Sequence, residues 1–238
     1  MLPALLAAFC IGLIRGGLKG LGPLFILLMA MSFGARESSG IIVPLLLVGD
    51  VMALVAYRKH IVPTIVKQFL PTVLVGLLLG VWVGKDLPEG HFQQLLAGLI
   101  VIGMLVMWVW EVRFKGRVKP ASWSHWPLGI GAGFFAMIGN YGGAFASIYF
   151  LLTGASKKDL IGSATFIFFL LNVVKLPFHL YVWETISTET LSTDIPLIPA
   201  VALGFFAGLW TVNRIGEKGY RWYLYAVNIA GAVFLLVA

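Results

Sequence analysis

The chain alternates between long apolar runs and short polar stretches. Its hydrophobic segments lie at about 1–33, 40–57, 64–84, 91–111, 124–153, 159–182, 195–213 and 219–238. An apolar run of about 18 or more residues is long enough to cross a hydrocarbon core as an α-helix. The alternating segments of roughly ten residues that are typical of a transmembrane β-barrel are not visible. The pattern therefore predicts an all-α polytopic membrane protein.

Two of these segments are too long for one helix, and both carry glycine clusters in the middle. The first contains "RGGLKGLGP" at 15–23, and the second contains "IGNYGGAFAS" at 138–147. Glycine allows a turn and a close backbone approach, and Pro23 suits the first turn of a new helix. We therefore expect each segment to form two helical arms around a break, so that eight segments give about ten helices.

The order of glycines, prolines and a tryptophan repeats along the chain. With an offset of 122 the matches are Gly17 with Gly139, Gly20 with Gly142, Gly40 with Gly162 and Asp50 with Asn172. With an offset of 128 they are Pro71 with Pro199, Gly76 with Gly204, Gly80 with Gly208, Trp82 with Trp210, Glu89 with Glu217 and Gly103 with Gly231. The sequence thus predicts a first repeat at 1–118 and a second at 119–238. Together the repeats form a single integral membrane domain.

The charged loops predict the orientation of these repeats. Four loops are basic, and they contain Arg58, Lys59 and Lys67; Arg113, Lys115, Arg117 and Lys119; Lys157 and Lys158; and Arg214, Lys218 and Arg221. Basic loops favour the cytoplasm. All four can lie there only if each broken segment re-emerges on the side where it entered, which leaves three full crossings in each half. An odd number of crossings places the two halves in opposite orientations, as in many secondary transporters. Both termini are then predicted to lie outside and the 113–119 loop inside.

Composition narrows the classes of function. Of 238 residues, 60% are hydrophobic and 11% charged, and the mean hydropathy is +0.96, so there is little room for a soluble domain. The net charge of +7 is explained by the basic loops, and no nucleic acid is expected. The single cysteine, Cys10, forms neither a disulfide nor a CxxC metal site. Without a Walker motif, a histidine cluster or a catalytic constellation, we expect no enzyme, no metal and no cofactor.

The glycine breaks are the first candidate binding site. A broken helix is tolerated in a membrane where it lines a polar cavity, and the N-terminus of its inner arm attracts anions. The candidate substrate-binding residues here are Arg15, Lys19, Gly20, Gly22, Asn140, Tyr141, Gly142 and Gly143. The alternative is that Arg15 and Lys19 occupy a short cytoplasmic loop and bind nothing.

Polar residues inside the spans are the second candidate. Asp50 lies in the middle of an apolar span, where a carboxylate costs about 2.5–3.5 kcal/mol. It is either a proton carrier that couples transport or one half of an ion pair with Arg15, Lys19 or Lys175. Asn172 matches it in the second repeat.

Three further residues leave two interpretations open. Lys175 lies three residues after Asn172 on the same helix face, and it either contacts the anion or extends outward to the membrane surface. Ser163 and Thr165 either line the cavity or cap a helix end.

The glycine cluster, the mid-span polar residue, the basic loop, "LPTVLVGLLLGVWVGKDLP" and its echo "IPAVALGFFAGLWTVNRIG" together resemble the sulfite exporter TauE/SafE family, from about residue 8 to 235. The resemblance implies a multi-pass transporter of the inner membrane. Its expected substrate is a small anion, such as sulfite or a sulfonate like sulfoacetate. Fewer consecutive glycines and the added Arg15 and Lys19 leave the exact anion open.

Several aspects of function stay open at this stage. The expected partners are the anionic substrate and the lipid bilayer. The co-substrate is a proton, sodium or neither. A homodimer is compatible with the sequence. The direction of transport is not determined. The competing functions are a membrane assembly or sensor module that does not transport, and an uncoupled anion channel.

Overall fold

The computed structural model describes residues 2–109 and 123–216, together with 219, 220 and 223. These residues form α-helices and short 3-10 turns, with no strand among them. The helices are α1 Leu2–Arg15, α2 Gly22–Phe33, α3 Ala35–Tyr57, α4 Pro63–Gly84, α5 Glu89–Val109, α6 His125–Gly139, α7 Gly143–Thr153, α8 Lys157–Tyr181, α9 Thr188–Asp194 and α10 Ile198–Arg214. The predicted 113–119 loop and almost all of the last predicted segment lie outside the described residues.

Both long segments are broken where the glycine clusters predicted. Between α1 and α2 the chain turns through Gly17 and Gly20, whose φ angles are 117° and 106°. Between α6 and α7 it turns at Asn140, with φ 55°, in the left-handed region that asparagine tolerates better than most residues. The expectation of two helical arms in each segment is confirmed.

Four stretches of the described chain are long and apolar enough to cross a membrane: Ala35–His60, Pro63–Gly84, Lys157–Tyr181 and Thr188–Arg214. Two of them, the first and the last, begin at least five residues earlier than the hydrophobic pattern predicted. The helix α3 starts right after Gly34, so its first turn contains polar residues. The last stretch starts with α9, which Ser187 and Thr190 cap reciprocally, and continues through a 3-10 turn into α10. Hydropathy misses these polar first turns because hydrogen bonds hold them: Glu89 accepts from the backbone N–H groups of Ala35 and Arg36 in α3, and the reciprocal cap holds α9.

Two pairs of helices pack backbone against backbone. In the pair of α4 with α6, a Cβ added to Gly133 would lie 1.9 Å from the carbonyl oxygen of Val73. In the pair of α1 with α10, a Cβ added to Gly12 would lie 2.1 Å from the carbonyl oxygen of Val201. In a membrane the hydrophobic effect does not drive helices together, because the lipid is itself apolar. Small residues let the helices approach closely, and the resulting van der Waals contacts stabilise the pair.

The helices α3 and α8 pack against each other and carry the mid-span polar residues. Asp50 on α3 is fully buried, and Asn172 on α8 is 1% exposed. Polar side chains at such depth need partners, because an unpaired one costs several kcal/mol in an apolar setting. The α3–α8 contact therefore positions the polar groups of the candidate site.

Candidate functional site

The two helix breaks meet at one cavity. It encloses about 900 Å³ of empty space, counted with its open mouth, and it is lined by both breaks and by one face of α8. The breaks come into direct contact, since a Cβ added to Gly22 would lie 2.9 Å from the ring of Tyr141. Gly22 and Tyr141, 119 positions apart in sequence, thus line the same space.

Most of the residues predicted from sequence line this cavity. They are Arg15, Lys19, Gly20, Gly22, Asn140, Tyr141, Gly143, Asn172 and Lys175. Gly142 does not line it, because its Cα faces the backbone of α6, where an added Cβ would lie 2.2 Å from the carbonyl oxygen of Ala132. Asp50 lies behind the lining, in contact with Arg15 and Asn172. That these residues bind an anion stays a prediction.

Asp50 is held by one charged and one neutral partner. Its Oδ1 lies 3.0 Å from Nε of Arg15, and its Oδ2 accepts a hydrogen bond of 2.7 Å from Nδ2 of Asn172. Of the two interpretations of Asp50, the ion pair with Arg15 is present in the structure. Arg15 is only 7% exposed, so it does not lie in a solvated loop. A buried pair of this kind is stable only when both charges keep their partner.

Lys175 is fully buried, so of its two interpretations the one in which it extends outward to the membrane surface is wrong. Its Nζ donates to the carbonyl oxygen of Ala136 at 2.8 Å and to Oδ1 of Asn140. The amide of Asn140 in turn donates to the carbonyl oxygen of Ser39 on α3. The ammonium group thus satisfies the negative end of α6 and ties α8, α6 and α3 together around the second break.

Lys19 lies beside the first break and is half-buried. Its Nζ is 5.9 Å from the ring centroid of Phe168, and Cζ of Arg15 is 5.8 Å from the same centroid. Cations at this distance from an aromatic ring are attracted by its quadrupole. Phe168 therefore holds two cations at the wall of the cavity.

Sequence reasoning missed the apolar lining, which includes Phe168. On α8 the lining residues follow helical spacing, at Leu160, Ala164, Phe168, Asn172 and Lys175. Positions three or four apart lie on one helix face. Counting back from Asn172 in steps of four would have found them.

Ser163 and Thr165 do not line the cavity, so that interpretation of them is wrong. For Ser163 the capping interpretation is confirmed, because it bonds the N-cap residue of α4. They lie inside α8. The Oγ of Ser163 accepts a hydrogen bond of 2.9 Å from the backbone N–H of Val62, just before α4. This hydrogen bond fixes the start of α4 against α8.

Beyond Lys175 the polar face of α8 continues to His179, which does not line the cavity. Its Nδ1 lies 2.7 Å from Oγ1 of Thr185, and the ring of Trp183 covers it with centroids 5.1 Å apart. The indole N–H of Trp183 donates to the carbonyl oxygen of Val81 on α4. The segment after α8 thus folds back over this end of the helix.

Comparison with known proteins identifies the chain at the level of the family. Neither curated proteins nor solved structures gave a match. The family model described as "Sulfite exporter TauE/SafE" matches residues 4–235, which is nearly the whole chain and agrees with the resemblance seen in the motifs. The chain with the cavity described above therefore belongs to the sulfite exporter TauE/SafE family, a family of membrane transporters.

Proposed function

We propose that this protein is a secondary transporter that moves a small sulfur-containing anion, sulfite or an organosulfonate, across the inner membrane by alternating access. Membership of the family indicates a multi-pass membrane transporter of sulfur anions and not an enzyme. The observation that carries the proposal is the cavity itself. Three basic side chains, Arg15, Lys19 and Lys175, line a space between two broken helices.

Two inverted repeats, 1–118 and 119–238, would supply the machinery for alternating access. The helix pairs that pack through glycine support this arrangement. The helix α6, the first of the second half, contacts α4 in the first half, and α1, the first of the first half, contacts α10 in the second half. The contacted residues Val73 and Val201 are 128 positions apart, which equals the offset between the repeats. Asp50 also touches Asn172, its match in the other half. Two matched residues contact each other only near the axis that relates the halves, so this contact supports an axis through the cavity.

The cavity would face the cytoplasm in the present conformation. Its lining on α8 runs from Leu160 to Lys175, which is about 22 Å of helix at 1.5 Å per residue. The N-terminal end of α8 carries Lys157 and Lys158, a basic pair expected in the cytoplasm. At the other end, Trp183 covers the helix face. An outer gate at Trp183 would open when the halves rock against each other.

Proton coupling would act through Asp50. A proton on this carboxylate would cancel its attraction for Arg15, and the freed guanidinium could then bind the anion. Asp50→Asn should therefore exchange substrate across the membrane but fail to accumulate it under a pH gradient. Retained exchange in the same vesicles shows that the variant is folded. Full accumulation driven by pH in Asp50→Asn would rule Asp50 out as the proton carrier.

The test of the proposed function is flux in proteoliposomes. Purified protein is reconstituted, and the uptake of radiolabelled sulfite and of several sulfonates is measured with and without pH and sodium gradients. We expect saturable uptake that Lys19→Gln weakens at least about tenfold in affinity, roughly 1.4 kcal/mol. The control Lys67→Gln removes an exposed lysine outside the cavity and should behave like wild type.

Other outcomes would favour the competing functions. Flux that does not saturate and responds to no ion gradient would indicate a channel. An absence of flux for every anion would indicate a module that does not transport. Equal affinities in Lys19→Gln and wild type would mean that Lys19 does not contact the substrate.

A further inference from the structure

Among the residues that the structure describes, the basic side chains at the cavity outnumber the acidic ones. Arg15, Lys19 and Lys175 line the cavity, and among the described residues the acidic side chain in contact with one of them is Asp50, which pairs with Arg15. The other ion pairs in the described part of the chain, His60 with Asp159 and Lys85 with Asp86, involve none of the lining residues.

The carboxylate of Asp50 is paired with one of the three cations, Arg15. Asp50 lies 3.0 Å from Nε of Arg15, and its other oxygen is occupied by the amide of Asn172. Arg15 and Asp50 therefore form a neutral pair. Both lysines are left without a carboxylate partner among the described residues.

The contacts of the two lysines are with neutral groups. Lys175 donates to a carbonyl oxygen and to the amide oxygen of Asn140, which leaves one of its three N–H donors for a ligand. Lys19 has the ring of Phe168 within 5.9 Å. Ring and amide dipoles attract a cation without cancelling its charge. Among the described residues, neither ammonium group is therefore matched by a carboxylate.

We infer that the site selects a dianion. Within a membrane, uncompensated charges are costly, and a ligand that brings two negative charges neutralises both lysines at once. A monoanion of the same shape leaves one of them unpaired. This inference rests on the proposed function and adds to it the charge of the substrate.

The test compares two sulfonates that share one skeleton and differ by one charge. Sulfoacetate is a dianion at neutral pH, and isethionate carries a neutral hydroxymethyl group in place of the carboxylate. Binding of each to the purified full-length protein is measured by titration calorimetry, and each is used as a competitor of tracer uptake in proteoliposomes. We expect wild type to prefer sulfoacetate by at least about tenfold.

The lysine variants identify the source of this preference. Lys19→Gln should reduce the ratio of the two affinities at least about threefold, because it removes one of the two charges. Lys175→Gln should do the same, but it also removes the contacts with Ala136 and Asn140. Lys19→Gln therefore remains the decisive variant if Lys175→Gln does not fold. The control Lys67→Gln should keep the wild-type ratio.

The outcomes distinguish a failure of the inference from a failure of the proposed function. Equal affinity of wild type for both sulfonates would show that one lysine carries no charge in the cavity, and it would overturn the inference while leaving the proposed function intact. An unchanged ratio in Lys19→Gln would also overturn it. Binding of neither sulfonate, together with an absence of flux for any sulfur anion, would instead refute the proposed function.

Discussion

Removing the charge of Asp50 should destabilise the protein by more than a surface substitution does. Asp50 is fully buried, and Arg15 is 7% exposed. In Asp50→Asn the new amide keeps one oxygen for Asn172, but its NH₂ group then faces Nε of Arg15. The guanidinium would be buried without a counter-charge. Breaking a buried ion pair in this way costs about 3–5 kcal/mol.

The contact of Arg15 with Phe168 lowers this cost. A desolvated cation over an aromatic ring is stabilised by about 2 kcal/mol, and the substitution leaves this contact in place. We therefore expect the lower end of the range, about 3 kcal/mol. Arg15→Gln should cost a similar amount, because it leaves the carboxylate with Asn172 as its remaining partner.

A double-mutant cycle measures the interaction directly. The free energy of unfolding by sodium dodecyl sulfate is measured in mixed micelles for wild type, Asp50→Asn, Arg15→Gln and the double variant. Two neutral amides can hydrogen-bond to each other, so the double variant should recover much of the loss. The coupling energy should be at least about 2 kcal/mol. Additive losses, within about 0.5 kcal/mol, would show that the two side chains do not interact and would refute the reasoning.

Three further predictions concern topology and packing. In a background without the native cysteine, Lys59→Cys should be labelled by an impermeant thiol reagent from the cytoplasmic side only, and Glu189→Cys from the opposite side only; labelling of both from one side would contradict the inverted arrangement. Gly204→Ala should lower the unfolding free energy by at least about 2 kcal/mol in the same detergent assay, because its Cβ would lie 2.1 Å from a carbonyl oxygen of α1. Its control, Gly98→Ala, meets nothing within 4 Å and should be neutral or stabilising, so equal losses in the two variants would contradict the backbone contact. Trp183→Ala should cost about 3–5 kcal/mol because it empties a buried aromatic site, and a loss below about 1 kcal/mol would mean that this end of α8 is covered by other groups.

The sequence alone determined the helices and the two breaks. Apolar runs of the length of a membrane span can satisfy their backbone only as helices, and a cluster of glycines with a proline or an asparagine favours a turn within such a run. These effects are local, so they can be read from consecutive residues. The same holds for the candidate cations, since a lysine or arginine at a break is visible in the sequence.

Tertiary structure decided which partners these charges have. The sequence left open whether Asp50 pairs with Arg15, Lys19 or Lys175, and only the packing of α3 on α8 and α1 brought the carboxylate to Arg15. Packing also buried Lys175 against the end of α6, where the sequence allowed it to extend outward. A pairing energy depends on distances of a few ångströms between residues far apart in the chain, and only the packed helices fix those distances.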